Sequence, residues 1–260
     1  MKKISLIFLS LALSVNSFGA HHEETYRGMD LTNRFGIQFE ICNLREGKTI
    51  GSVNRLDAKI NKVMNSVDGK ASILRLTPFY AHGTAQEPSS DFIDMVVGPI
   101  PAIGNTWTDF LASAEGPKVL SDFSGLAKCH NKFAMGTSKM MKLEEMNSTD
   151  ERIITLNWCT AKEGVSYQQL KAKHASWLAA NKDSFKAAAW SIISPRQGAG
   201  NMQGSFAHMN VFTSLNQMFA NEEWIANGGG SEGIRDYYNS YANCAGESSY
   251  TAEYIYKASN

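Results

Sequence analysis

Apolar and polar residues alternate along residues 37–44, and a similar alternation returns along residues 153–160. A period of two places successive side chains on opposite faces of a β-strand. After the first strand, Val53, Leu56 and Ile60 recur at helical spacing, and two strands, a helical region and a last strand follow. These later strands are predicted at 71–80, 92–97 and 132–141, and in the second half at 187–194, 205–212 and 250–257. Each half therefore predicts the order βαββαβ, the ferredoxin-like motif.

A short string recurs between the two halves: "CNLREG" near the end of the first strand returns as "CTAKEG". Small changes in the offset that aligns the halves are what loop insertions produce. The alternative is a chance agreement among common residues, but the ordered set of matches favours an internal duplication of domain size. The matches are Cys42 with Cys159 and Gly47 with Gly164 at an offset of 117, 92–98 with 206–212 at 114, and Cys129 with Cys244 at 115.

We therefore predict an α+β fold in which two duplicated ferredoxin-like repeats form an intramolecular α+β barrel. The predicted boundaries are 1–20 for a signal peptide, 21–145 for the first repeat and 146–260 for the second. Two such units in one chain resemble the dimeric α+β barrel superfamily, which includes antibiotic-biosynthesis monooxygenases, stress-responsive barrels and haem-binding chlorite dismutases. The resemblance rests on element order and duplication over nearly all of the mature chain. It implies two sheets that close face to face around a pocket.

The first twenty residues have the pattern of a cleaved secretory signal. Lys2 and Lys3 precede an apolar run over residues 4–15, and Ser17, Gly19 and Ala20 end the segment with small side chains. An uncleaved membrane anchor is the alternative, but the run is shorter than the ~20 apolar residues that a membrane helix needs. No later stretch is long and apolar enough to span a bilayer. We expect a soluble protein that is periplasmic or extracellular after cleavage.

The charge balance gives no support for nucleic-acid binding. Without Lys2 and Lys3 the chain carries 23 basic and 25 acidic residues. A nucleic-acid surface would show as a clustered excess of basic residues. We therefore expect no nucleic-acid partner, and an intramolecular barrel removes the usual reason for this fold to dimerise, which favours a monomer.

The four cysteines form an even set without a C-x-x-C pair, which favours disulfides in an oxidising compartment. In the ferredoxin-like order, the end of strand one lies beside the start of strand four. We therefore predict the bonds Cys42–Cys129 and Cys159–Cys244, of the three connectivities that four cysteines allow. A reactive, redox-active pair is the alternative, although nothing nearby would lower a thiol pKa. Gly47 and Gly164 are expected to adopt positive φ in the turn after strand one.

Alternation also divides each strand into two faces. Phe39, Ile41, Leu156 and Trp158 form one face in the two first strands, and we expect them to pack under helices. The polar residues of the other face would then point into a cavity shared by the two sheets, as an internal ion pair, a solvent-facing surface or a ligand site. These candidate binding or catalytic residues are Glu40, Arg75, Asp94, Asn157 and His208. Trp190, an aromatic residue beside the sheets, is a further candidate for ligand binding.

His208 is the strongest single candidate, because a histidine on a cavity strand could act as a general base. Asn157 and Arg75 would orient the substrate beside it. His174, on the first helix of the second half, could in principle be an axial haem ligand, but a solvated helix histidine is the simpler interpretation and no haem-attachment motif occurs. No cofactor and no metal site is indicated, and H-E-x-x-H and Walker patterns are missing from the sequence.

Three functions remain open. The favoured one is the binding of a small, apolar or aromatic molecule in a cavity between the sheets, because Trp107, Trp158 and Trp190 lie around them and neither an H-E-x-x-H nor a Walker motif occurs. A cofactor-free enzyme of the monooxygenase type is the second, and it rests on the fold resemblance alone. A structural or partner-binding protein with a filled interior is the third.

Overall fold

The structure is a computed structural model, and it describes residues 25–81, 90–200 and 202–259. The predicted signal peptide, 1–20, lies outside these ranges. The described residues form an α+β fold. The strands are β1 (Thr25–Tyr26), β2 (Met29–Asp30), β3 (Arg34–Leu44), β4 (Ser72–Tyr80), β5 (Phe92–Gly98), β6 (Ala127–Met141), β7 (Arg152–Ala161), β8 (Ala189–Pro195), β9 (Phe206–Phe212) and β10 (Ala242–Tyr256). The helices are α1 (Ile50–Ser66), α2 (Ile100–Ala112), α3 (Gly116–Ser124), α4 (Leu143–Ser148), α5 (Tyr167–Asn181), α6 (Leu215–Asn227) and α7 (Gly230–Ser240).

Eight of these strands form one closed antiparallel barrel. In the first half, neighbouring strands follow the order β6-β3-β5-β4, and in the second half the order is β10-β7-β9-β8. The halves join where β6 pairs with β8 and where β10 pairs with β4. Strand β6 is long enough to serve both halves, because its residues 127–137 pair with β3 and its residues 134–141 pair with β8. The long last strands therefore close the barrel.

Apolar side chains fill the inside of the barrel. Phe39 and Leu156 are each 3 % exposed and belong to one buried cluster, with Ile41 and Trp158 packed against it. Residues from other strands of both halves, such as Leu76 and Met209, complete the cluster. Burial of each such side chain stabilises the fold by about 1.5–3 kcal/mol, so the closed interior is a core.

This packing reverses the faces expected from the sequence. Phe39, Ile41, Leu156 and Trp158 were expected under the helices, and the polar positions were expected inside a cavity between the sheets; both expectations are wrong. The apolar face fills the interior, where side chains of two sheets meet and polar groups would lack partners. The opposite face lies under the helices, which supply polar partners. The residues that lie on the helix-facing side of the sheet, and not in the interior as expected, are Glu40, Arg75, Asp94, Asn157 and His208.

Two disulfides join the first and last barrel strands of each half, as predicted. Cys42 bonds Cys129 and Cys159 bonds Cys244, and each pair lies directly opposite in its strand register. The bonds indicate an oxidising, non-cytoplasmic environment. The sequence separations of 87 and 85 residues correspond to about 4 kcal/mol of stabilisation per bond in the chain-entropy model.

The turns after β3 and β7 contain the glycines of the repeated string. Gly47 has φ 72° and Gly164 has φ 78°, which confirms the predicted left-handed backbone at both positions. None of the helices in the described ranges has the length and hydropathy needed to cross a membrane.

Candidate functional site

Each half contains a cavity between its part of the sheet and its helices. The second-half cavity has a volume of about 110 Å³ and is enclosed by α5, α6 and α7 over strands β7 to β10. The first-half cavity has a volume of about 60 Å³ and lies under α1, α2 and α3. The helices roof both cavities because their inward faces carry large apolar side chains, which pack against the helix-facing side of the sheet.

Aromatic rings dominate the wall of the second-half cavity. Three of them are tryptophans, and Trp177 stands 5.4 Å from Trp190 and 6.2 Å from Trp224, measured between ring centroids. Rings at these distances in edge-to-face geometry make a rigid apolar wall. Trp190 was predicted as a binding residue because it is an aromatic residue beside the sheets; the others come from helices and a loop. The aromatic wall consists of Trp177, Phe185, Trp190, Trp224, Tyr237 and Tyr238.

A chain of hydrogen bonds crosses the floor of this cavity. The Nε1–H of Trp190 donates to Nδ1 of His208 at 3.2 Å. Because an indole nitrogen can only donate, the neutral His208 ring carries its proton on Nε2, which lies 3.2 Å from the Tyr237 hydroxyl. That hydroxyl lies 2.9 Å from Nε2 of His174, to which it donates. The four side chains hold one another in fixed orientations.

The two histidines of this hydrogen-bond network, His174 and His208, are neutral at ordinary pH. Burial, reinforced by the neighbouring His174, lowers the pKa of His208 to about 3. Burial and the charge of Lys139 lower the pKa of His174 to about 4. The role of general base that the sequence suggested for His208 requires a free lone pair, and Trp190 occupies it in this arrangement. His208 therefore contributes to the cavity as a wall and as a hydrogen-bonded support.

Asn157 supplies the one buried side-chain oxygen without a partner in the described part of the chain. Its side chain lies on β7 directly opposite His208 of β9, and its Nδ2 donates to the Tyr238 hydroxyl at 3.0 Å. Its Oδ1 has no hydrogen bond although the residue is only 4 % exposed. An unsatisfied buried acceptor costs about 1–3 kcal/mol, so this oxygen marks a place for a donor.

The first-half cavity has a charged wall. The Arg75 guanidinium donates from Nε and Nη2 to the two carboxylate oxygens of Asp94, both at 2.8 Å. Its Nη1 donates to Asp57 at 2.8 Å and to Asn54 at 2.9 Å, both on α1. This fork uses the bidentate geometry that arginine offers to carboxylates. Arg75 is therefore a structural cation that neutralises buried acids.

Glu40 lies next to this network without an arginine of its own. It stands directly opposite Asp94 on β3 and β5, and its Oε1 accepts from Nε2 of Gln38 at 2.7 Å. Burial and the Asp94 carboxylate raise the pKa of Glu40 to about 7, against a smaller opposing effect of Gln38 and Arg75. Gln38 is fixed in turn, because Trp107 Nε1 donates to its Oε1 at 3.0 Å.

The two cavities are lined by positions that correspond under the sequence offsets. At an offset of 117, Glu40 and Ile73 of the first-half cavity correspond to Asn157 and Trp190 of the second. The second half thus has neutral Asn157 where the first has the Glu40 carboxylate, and the bulkier Trp190 where the first has Ile73. At an offset of 114, the corresponding lining positions are Asp94 with His208, Val96 with Asn210, Phe110 with Trp224, Val119 with Gly233, Leu120 with Ile234 and Phe123 with Tyr237.

The structure separates the site residues that the sequence grouped together. Arg75, Glu40 and Asp94 line or support the first-half cavity, whereas Asn157, Trp190 and His208 line the second. Sequence reasoning missed Tyr237, Trp177 and Trp224. Their helical spacing indicated only burial, and the repeat offset was the one signal that could have placed them, since Tyr237 aligns with Phe123 and Trp177 with Ile60.

The second-half cavity does not fit a haem. His174, the residue considered as an axial ligand, has its Nε2 engaged with the Tyr237 hydroxyl at 2.9 Å. The cavity of about 110 Å³ is also well below the ~300–1,000 Å³ of pockets that enclose drug-sized ligands. In the described ranges, no group of three or more His, Cys, Asp or Glu residues is placed to hold a metal ion.

Comparison with known proteins identifies the fold. A proposed monooxygenase from Fusobacterium nucleatum subsp. nucleatum ATCC 25586 is similar with a TM-score of 0.56 and 8% identity, covering 85% of this chain and 92% of that one. A proposed monooxygenase from Lactobacillus acidophilus NCFM has a TM-score of 0.51 and 10% identity, covering 85% and 94%. Chlorite dismutase from Candidatus Nitrospira defluvii, in complex with imidazole, has a TM-score of 0.51 and 8% identity, covering 85% and 92%.

No protein-family model and no curated protein sequence matches the chain. The solved structures confirm the resemblance to the dimeric α+β barrel superfamily at the level of fold. The described part of the chain is thus an α+β barrel with a cavity under the helices of each half.

Proposed function

We propose that this protein binds a small aromatic molecule carrying a hydrogen-bond donor, in the second-half cavity. The observation that carries the proposal is the Asn157 Oδ1 atom, buried and unpartnered in the wall of an aromatic cavity. A donor on the ligand would satisfy this oxygen, and the ligand ring would pack against Trp177, Trp190 and Trp224. Ligand sites commonly combine such apolar walls with few polar groups.

The size of the cavity limits the ligand to about one ring. An apolar cavity of ~150 Å³ holds benzene, and the second-half cavity measures about 110 Å³ with a partly open side. The wall adds no unpaired cation, since its lysine, Lys173, is ion-paired with Asp236. A neutral phenol-like molecule fits these constraints better than a carboxylate does.

We further infer that the protein is exported and acts as a monomer built from two duplicated ferredoxin-like repeats, 21–145 and 146–260. The signal pattern over 1–20 and the two disulfides support export. The equal strand order of the two halves and the matching cavity positions support duplication. The closed barrel within one chain supports the monomer.

The test is a titration followed through the indole N–H signals of ¹⁵N-labelled tryptophan, first with phenol and then with toluene, which has a similar shape and no donor. Phenol is expected to shift the Trp177, Trp190 and Trp224 signals in a saturable way, at least tenfold more tightly than toluene. Asn157→Leu should abolish that preference, while Asn227→Ala, at an exposed amide of α6, should keep it. Equal binding of phenol by Asn157→Leu, or no shift of the three signals, would overturn the proposal.

A cofactor-free monooxygenase activity is the second candidate, favoured by the fold shared with the two proposed monooxygenases. It predicts oxygen uptake when purified protein is mixed with a phenol that binds, and loss of that uptake in Asn157→Leu. Binding of a phenol without oxygen uptake would support the binding function and exclude the monooxygenase activity for that phenol. Absence of both would favour the third possibility, a structural or partner-binding role.

A further inference from the structure

We infer that the first-half cavity is a second binding site, specific for a small aliphatic ammonium ion, and that the Glu40 carboxylate is its counter-ion. This inference does not depend on the ligand of the second-half cavity, because the two sites lie in different halves and use different residues. It follows from the shape of the cavity, from the different hydrogen-bond partners of its two carboxylates, and from the hydrogen bonds that orient Glu40.

The cavity has mostly apolar walls, and its acidic residues are Glu40 and Asp94, which are neighbours on adjacent strands. Its wall is formed by Ile60, Ile73, Phe110 and Phe123, and the acidic side chains Glu40 and Asp94 line the same space. The cavity is partly open to solvent, and Ile60 of its wall is only half-buried. One water needs at least ~10–15 Å³ of cavity space, so the cavity of about 60 Å³ has room for only a few water molecules or a short aliphatic group.

The two carboxylates of the wall differ in their partners. Both oxygens of Asp94 are bonded by Arg75, which also holds Asp57 on α1. Glu40 accepts one hydrogen bond from Gln38 on its Oε1 and forms no ion pair within the described ranges. Its second oxygen is therefore available to a donor that comes from outside the protein.

Glu40 is held in a fixed orientation for this role. Trp107 on α2 donates to Gln38, and Gln38 donates to Glu40, so a chain of two hydrogen bonds links the helix to the carboxylate. The Trp107 indole also lines the cavity. A cation beside Glu40 would thus lie near the rings of Trp107 and Phe110, whose faces attract positive charge.

The charges around Glu40 select a cation. Asp94 on β5 and Asp57 on α1 are negative, and Arg75 on β4 supplies one positive charge to both. Ionised Glu40 therefore adds an unbalanced negative charge to a buried place, which is why its pKa is raised to about 7. An ammonium ion would balance that charge, whereas an anion would be repelled and a neutral molecule would leave it unbalanced.

The experiment uses the full chain with ¹⁵N-labelled tryptophan and compares ethylammonium chloride with ethanol at pH 8, in matched sodium chloride. Ethylammonium is expected to shift the Trp107 indole N–H signal in a saturable way, and ethanol is expected to bind at least tenfold more weakly. The signals of Trp177, Trp190 and Trp224 should not move. At pH 5, where Glu40 is protonated, ethylammonium binding to the wild-type protein should weaken at least tenfold.

Two variants complete the test. Glu40→Gln keeps the size of the side chain and should lower ethylammonium affinity at least tenfold, whereas Glu115→Gln, at an exposed carboxylate of the neighbouring α3 region, should leave it unchanged. Equal binding of ethanol, unchanged binding in Glu40→Gln, or a Trp107 signal that does not move would each overturn the inference. Failure here leaves the phenol titration untouched, because a different set of tryptophans reports it.

Discussion

Glu40 lies directly opposite Asp94 on the neighbouring strands β3 and β5, so two carboxylates share the helix-facing side of the sheet. Only Asp94 has an arginine partner. Burial, together with the Asp94 carboxylate, explains how Glu40, at a strand position that looks ordinary in the sequence, acquires a pKa of about 7. Its consequences for stability can be measured without knowledge of any ligand.

Glu40→Gln is expected to stabilise the protein at pH above 7. The folded-state pKa of about 7 exceeds the ordinary value of 4.5, so the folded protein binds this proton more tightly than the unfolded chain does. Stability is therefore lost as pH rises from about 4.5 to 7, and the Gln variant avoids that loss. Urea unfolding should show a gain of about 1–3 kcal/mol at pH 8 and almost none at pH 4. A gain that is the same at both pH values would contradict the assignment.

Arg75→Met should destabilise the first half strongly. The change leaves Asp94 buried without its cation, and Asp57 loses the same partner. Removal of one partner from a buried ion pair typically costs about 3–5 kcal/mol. The matched control is Lys59→Met, which breaks an exposed pair with Asp122 and should cost at most about 1 kcal/mol. Similar urea midpoints for the two variants would show that the Arg75 network does not stabilise the fold.

Acid should destabilise the protein through the two buried histidines. Their folded-state pKa values of about 3 for His208 and about 4 for His174 lie below the ordinary 6.5, so the unfolded chain takes up protons first as pH falls. The resulting loss between pH 6.5 and 4 is expected to be about 3 kcal/mol for each histidine, or about 5–6 kcal/mol for the two together. His208→Gln should flatten the pH profile of unfolding, and His130→Gln, at an exposed histidine of β6, should keep it. If the stability of His208→Gln fell with pH as steeply as that of the wild-type protein, the acid sensitivity would not come from His208.

Each disulfide should contribute a similar stabilisation. The double variants Cys42→Ala with Cys129→Ala and Cys159→Ala with Cys244→Ala open loops of nearly equal length, with sequence separations of 87 and 85 residues. Each is expected to lose about 2–5 kcal/mol in urea unfolding. Mass spectrometry without reductant, before and after reduction, checks that each bond forms in the purified protein. A loss of stability in only one of the two double variants would show that the two disulfides do not stabilise the fold equally.

The sequence predicted the local features of this fold well. The strand and helix order followed from periodicity, because a strand and an amphipathic helix impose different spacings on their buried residues. The last strands were placed too short, since β6 begins at Ala127 and β10 at Ala242, and their first residues lack a clear alternation. The cysteine pairs followed from the neighbouring positions of first and last strands, and the turn glycines followed from their freedom to adopt positive φ.

The candidate site was predicted only in part. Glu40, Asp94, Asn157, Trp190 and His208 do line cavities, but two cavities instead of one, and on the face opposite to the one expected. Alternation shows that a strand has two faces, and it does not show which face another sheet will cover. The partners of these residues, such as Gln38 for Glu40 and Tyr237 for His208, come from packing that no local pattern contains.

The sequence by itself determined the order of the barrel strands, the disulfide pairing and the turn geometry, because each depends on neighbours in the chain or on strand order. Only the tertiary structure decided that the apolar faces fill the closed barrel and that the polar faces lie under the helices. Closure removes water from the interior, and polar groups remain where helices can bond them. Because the polar faces lie under the helices, Glu40 is next to Asp94 without a cation of its own, and the Asn157 Oδ1 atom lacks a hydrogen-bond partner.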